Sequence, residues 1–193
     1  MMKTLIPSAL FAALTLTSSP ALAAGQIVNA AVGDFNRDGA PDLVTLTADP
    51  EEPTEIGIAI YLRDKERNIL FPTLTAPRLF WGSAAKDSFT GQEPEIAATA
   101  TGSIRVTTKN NAIGRHRWEQ TLTIAHRDGG FVVAGFTYSH YDTIDPDTGG
   151  SCDLNLLTGA GVRDQKPLKA KPQRIALPDW KGELGLAACG MGG

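Results

Sequence analysis

The chain is poor in the residues that usually betray chemistry. Its 193 residues include only two cysteines and three histidines, and none of them falls in a CxxC, CxH, HxH or HExxH spacing, so no ligand set for zinc is encoded locally. A nucleophile elbow of the GxSxG kind is missing, as is a phosphate-cradling glycine loop ahead of a helix. Lysine and arginine total 18 against 21 acids, for a formal net charge of −3. With no basic cluster there is no electrostatic footprint for nucleic acid or anionic lipid, and both are set aside as partners. Beyond the N-terminal segment no helical periodicity is convincing, and no period of about 20 to 50 residues recurs, which excludes a repeat array.

What is present begins with an address. Met1 to Ala23 has one early cation at Lys3, an apolar run from Leu5 to Leu16 and the small-residue tripeptide Ala21-Leu22-Ala23. This is the layout of a secretory signal peptide, and Pro7 and Pro20 argue against a retained membrane helix. Cleavage after Ala23 leaves Ala24 to Gly193, long enough for a single β-rich domain with a full core. No cysteine follows the cleavage site to take a lipid anchor. The expected location is periplasmic or secreted, with no integral membrane segment after cleavage. In such an oxidising compartment the pair Cys152 and Cys189 is most simply a disulfide.

The remainder is punctuated into short strands. Ile56, Ile58, Ile60 and Leu62 alternate with smaller or polar residues and share one face of a strand; Ile104 and Val106 continue the pattern. Trp118, Leu122 and Ile124 fall on one face of RWEQTLTIAH, RDGG turns the chain, and FVVAGFTYSHY runs back as a hairpin. EPEIAATATG is expected to be extended or irregular. DPEEPTE (Asp49 to Glu55) and KPLKAKPQ (Lys166 to Gln173) read as proline-marked connectors, and the tail GELGLAACGMGG as too glycine-rich for regular structure. The fold class expected is all-β, with antiparallel sheets forming a sandwich or an open barrel-like arrangement.

One stretch concentrates negative charge. In GDFNRDGAPDLV, Gly33 to Val44, alternate places carry Asp34, Asn36 and Asp38, followed by Gly39 for a sharp turn, Ala40 offering a carbonyl, and Asp42. A tight loop can fold such oxygens inward around one hard cation, and calcium prefers six to eight of them. An EF-hand would place a glutamate at the twelfth position, where Thr45 stands, and would be flanked by helices; here IVNAAV and LVTLT read as strands. The expectation is a strand-loop-strand calcium site, with Asp34, Asn36, Asp38 and Asp42 giving side-chain oxygens and Ala40 its carbonyl.

Asp34 to Leu43 matches DxNxDGxxDL between two strands, and at these residues, about 30 to 48, the chain resembles the FG-GAP or VCBS-type repeat. The resemblance implies a calcium-binding loop. Several such repeats form the blades of a β-propeller in that family, but one copy cannot close a propeller, so that fold is not carried over. A looser likeness covers more of the chain. The aliphatic strand IGIAIYLRD, the tryptophan-bearing hairpin from Arg117 to Asp142 and Asn155-Leu156-Leu157-Thr158-Gly159 are similar to a group of secreted bacterial β-proteins, which implies fold and address but no activity.

Other candidates have plainer readings. His116, His126 and His140 are expected at the surface or at strand ends, although His126 and His140 flank the hairpin and a zinc or general-base role is conceivable across it. Asp142, Asp145 and Asp147 in YDTIDPDTGG suit turn chemistry better than a second cation site or a glycosidase pair. Trp81, Trp118, Trp180, Tyr138 and Tyr141 could line a binding face, but Trp118 is in phase with core residues, and packing is the plainer reading for the rest as well; the candidates for a surface role are Tyr141 and Trp180. Together these expectations give a calcium-containing exported β-domain, acting as a non-enzymatic binding or structural module toward a protein or glycan. The alternative is an envelope hydrolase, or an inhibitor or immunity protein directed at an envelope enzyme.

Overall fold

A computed structural model describes residues 25–83 and 91–192. The expected signal peptide, residues 1–23, lies outside the described residues. Two antiparallel sheets account for most of the fold. The first runs in chain order through β1 (Gln26–Gly33), β2 (Asp42–Ala48), β3 (Glu55–Asp64) and β4 (Ile69–Trp81). The second contains β5 (Glu95–Ala98), β6 (Ile104–Asn110), β7 (His116–Arg127), β8 (Gly130–Asp142), β9 (Gly150–Asn155), β10 (Ala160–Arg163) and β11 (Lys166–Lys169), again in chain order, with the short β12 (Ile175–Ala176) beside β8. The sheets form a sandwich and no closed barrel. No described helix is long and apolar enough to cross a membrane.

Period-two patterning explains which faces meet. Val44, Leu46, Ile56, Ile58 and Ile60 from the first sheet join Ile104, Val106, Leu122, Ile124, Phe136 and Leu154 from the second in one buried cluster. Full burial of such side chains stabilises by about 1.5–3 kcal/mol each. The expected hairpin forms about Asp128 and Gly129, pairing Trp118 with His140 and Leu122 with Phe136. A register shift between Thr123 and Ile124 keeps both Phe136 and Val133 on the core side of β8.

Two stretches expected to be irregular are ordered. Lys166–Lys169 forms the edge strand β11 despite Pro167, which an edge position tolerates because one side of the strand makes no ladder. In the tail, Gly182–Ala188 is a helix, α1. Its glycines lower helix propensity, yet Gly185 is what lets the helix dock: a Cβ there would stand 2.6 Å from ring carbons of Phe136. The expected disulfide, Cys152 to Cys189, joins β9 to the residue after α1 with Cα atoms 6.1 Å apart, and both cysteines are buried. Trp180 is also core, packed on Phe136 with ring centroids 5.7 Å apart. It is therefore not a surface anchor, because the tail folds back over β8.

Replacing both cysteines by alanine removes the constraint on a loop of 37 residues and should cost about 2–4 kcal/mol. Denaturant unfolding of the double variant beside the parent checks it.

Candidate functional site

The acidic loop sits between β1 and β2, as expected, but its oxygens are engaged by the chain itself. Asp34 accepts the backbone N–H of Asp38 at 2.9 Å and of Gly39 at 2.8 Å. Asn36 Oδ1 accepts the same Asp38 N–H at 3.1 Å. Asp38 accepts the Ala40 N–H at 2.8 Å and the Asn36 amide at 2.9 Å, with Lys65 Nζ at 3.6 Å. The Asn36 amide, the Ala40 N–H and Lys65 hold the Asp38 carboxyl below its usual range. Gly39 carries a φ of +86°, so the tight turn uses glycine's freedom in the left-handed region.

Asp42 differs from the others. Its side chain is buried, 1% exposed, and its two oxygens accept the N–H of Phe35 at 2.8 Å and of Arg63 at 2.9 Å. Phe35 enters the core beneath the loop, and Arg63 also donates to the Pro41 carbonyl at 2.8 Å. Asp42 thus clips the start of the loop to β3. On the outside, Arg37 donates to the Thr101 carbonyl at 2.9 Å. Gly102, at φ +73°, lies so close that a Cβ would stand 2.6 Å from the Asp34 carbonyl oxygen. The loop therefore bridges the two sheets through the turn between β5 and β6.

Among the described residues no group of three or more His, Cys, Asp or Glu side chains is placed to hold a metal ion. Each carboxylate oxygen has two acceptor directions, so the amide bonds at Asp34 and Asp38 leave one direction per oxygen for a hard cation. At Asp42 each oxygen likewise accepts one amide, and there the side chain is buried.

A second constellation gathers at the open end of the β7–β8 hairpin, where Asp142 is buried, 3% exposed. It accepts Arg115 Nε at 2.5 Å and the N–H groups of Ile144 at 2.8 Å and Asp145 at 3.2 Å. The Arg115 bond above all, then the two amides, hold its carboxyl down to about 2. His116 Nδ1 lies 3.3 Å from the same carboxylate, with its side chain exposed. Asp145 and Asp147 are exposed beside a single 3-10 turn, Pro146–Thr148, which is the expected turn chemistry. His126 and His140 do not face each other: His126 pairs with Phe131 and His140 with Trp118, at opposite ends of the hairpin.

This end also contains a cavity of about 360 Å³ whose lining includes Trp118, Tyr138 and His140. Trp118 is half-buried outside the main core cluster, although its phase suggested core. It lies on the core-facing side of β7 but beyond the edge of the packed interior, against Trp81 at 5.4 Å. Tyr141 is exposed, as expected of a surface aromatic. Ser83-Ala84-Ala85-Lys86 has the spacing of a serine–lysine pair; Ser83 is buried and Lys86 lies outside the described residues.

No protein-family model, no curated protein and no solved structure matches this chain.

Asp42→Ala leaves the amides of Phe35 and Arg63 without acceptors, at about 1–3 kcal/mol for each that stays dry. Chemical denaturation in EDTA should show this loss in full, since the clip needs no ion. Asp142 gives a pH signature. Its folded pKa is depressed from 3.8 to about 2, so the stability it contributes is complete above about pH 4 and lost as pH falls toward 2. Asp142→Asn should flatten that part of the stability profile, read by thermal melts across it.

Proposed function

We propose that the chain is an exported, calcium-stabilised β-domain of the bacterial periplasm or cell exterior, working as a non-enzymatic binding or structural module. The observation that carries this reading is the preformed loop. Backbone amides orient Asp34 and Asp38 before any ion arrives, and Asp42 fixes the loop to the sheet. A cation entering there meets two carboxylates and an amide oxygen, Asn36, already wound into a tight turn. The ordering entropy is spent on folding rather than on binding. In that reading Asp34, Asn36 and Asp38 hold calcium with the Ala40 carbonyl, and Asp42 positions the loop more than it ligates. Calcium neutralises the carboxylate repulsion that Lys65, 3.6 Å from Asp38, offsets in part from the surface. The disulfide fits an oxidising address. The FG-GAP likeness rests on the loop residues themselves.

The alternative, an envelope hydrolase, draws on the Asp142–His116 approach at 3.3 Å. It is the weaker reading because Asp142 is committed to Arg115 and two backbone amides. A carboxylate so held is a fixed anion and a poor proton acceptor near neutrality.

The test is thermal melting in EDTA, magnesium and calcium, with Asp38→Ala alongside. Calcium well above its dissociation constant should raise the parent Tm by about 5–10 °C, with magnesium doing less and the variant not responding. A parent that melts identically in EDTA and calcium would show the loop to be a backbone-capped turn alone.

A further inference from the structure

We propose that the cavity at the open end of the β7–β8 hairpin is a binding site for an acidic sugar, a pyranose ring carrying a carboxylate. The proposal deepens the reading of the chain as a binding module and is independent of calcium. Its volume of about 360 Å³ lies within the range of small-molecule sites, about 300–1,000 Å³.

The decisive observation concerns unpaired polar atoms. Among the described residues, the buried side-chain nitrogens and oxygens that find no hydrogen-bond partner are Arg117 Nη1 and His140 Nδ1. Both residues line this one cavity. A buried polar group without a partner costs about 1–3 kcal/mol; Arg117 Nη1 can only donate, so of the two it is the guanidinium that calls for an acceptor from a ligand. The charge balance selects an anionic group. Asp142, the carboxylate in the lining, is held by Arg115, and no ion pair neutralises Arg117 among the described residues. A guanidinium with a free N–H matches a carboxylate.

The walls select the rest of the ligand. Trp118 and Tyr138 present aromatic rings, and each is backed by another. Trp118 rests against Trp81 at 5.4 Å, and Tyr138 is stacked on Phe136 with ring planes 8° apart and centroids 6.0 Å apart. Phe136 is fixed in turn by Trp180 and by the close approach of Gly185. A pyranose offers an apolar C–H face to such rings while its hydroxyls and carboxylate turn to the polar rim.

The test is titration calorimetry in EDTA, so that the acidic loop and its ion play no part. The probes are trigalacturonate, its neutral counterpart galactotriose, and sodium sulfate. Saturable binding of trigalacturonate is expected, with galactotriose binding about tenfold or more weakly and sulfate not measurably. Arg117→Gln should remove the preference for the acidic sugar while leaving the Tm unchanged or raised, and Trp118→Phe should weaken both sugars. Because Trp118→Phe keeps a ring, it guards against simple unfolding. No binding of either sugar at millimolar concentration, sulfate binding as tight as trigalacturonate, or affinity unchanged by Arg117→Gln would each overturn the proposal. Calcium-dependent melting with no sugar binding would leave the module reading standing and remove only this site.

Discussion

A carboxylate can be buried only if other groups replace the water it loses, and two aspartates at strand ends meet that demand in the same way. Asp42 opens β2 and Asp142 closes β8; both are almost wholly inaccessible. Each accepts two backbone amides, those of Phe35 in the loop and Arg63 in β3 in one case, those of Ile144 and Asp145 in the other. The loops at these strand ends are two of the irregular segments of the sandwich. Their shapes depend on the buried anions. Removing either carboxylate strands several amides together, which makes these positions more sensitive than the exposed acids around them.

That pairing also marks what the sequence could and could not disclose. Period-two alternation in Ile56, Ile58 and Ile60 is a local property, so the strand and its buried face were legible. So was the turn at Asp128 and Gly129, since turn chemistry needs only its own residues. With two cysteines in the chain the disulfide had one possible partner each. The helix at Gly182–Ala188 was not legible because its stability comes from docking on Phe136, where glycine is demanded by space and penalised by propensity. Trp180 looked available for a surface for the same reason: the fold of the tail that buries it is a tertiary event.

At the candidate sites, composition was legible and orientation was not. Asp34, Asn36, Asp38 and Asp42 read alike from the sequence as oxygen donors, and the first three share one turn whose backbone amides they accept. Asp42 separates from them because Arg63, 21 positions along the chain, donates to it. Trp118 was assigned to the core on its phase with Leu122 and Ile124, and the phase is right. What phase alone omits is where the interior ends: Trp118 packs on Trp81, the last residue of β4, at the margin of the core. The sequence does not mark Arg117, since an arginine on a strand announces nothing until its Nη1 is found buried and unpaired.

The two unusual ends are joined by one strand. β6 begins at Ile104, just after the Thr99 to Gly102 turn that abuts the acidic loop, and ends at Asn110, paired with Trp118 beside the cavity. Seven extended residues span roughly 20 Å, beyond a Debye length at physiological salt. An ion in the loop therefore cannot steer a ligand in the cavity through its field, and no shared side chain links them. Coupling through β6 would require two discrete arrangements of a strand hydrogen-bonded on both sides, for which a closely packed interior leaves little room. Substitutions at the two ends should therefore contribute additively to stability.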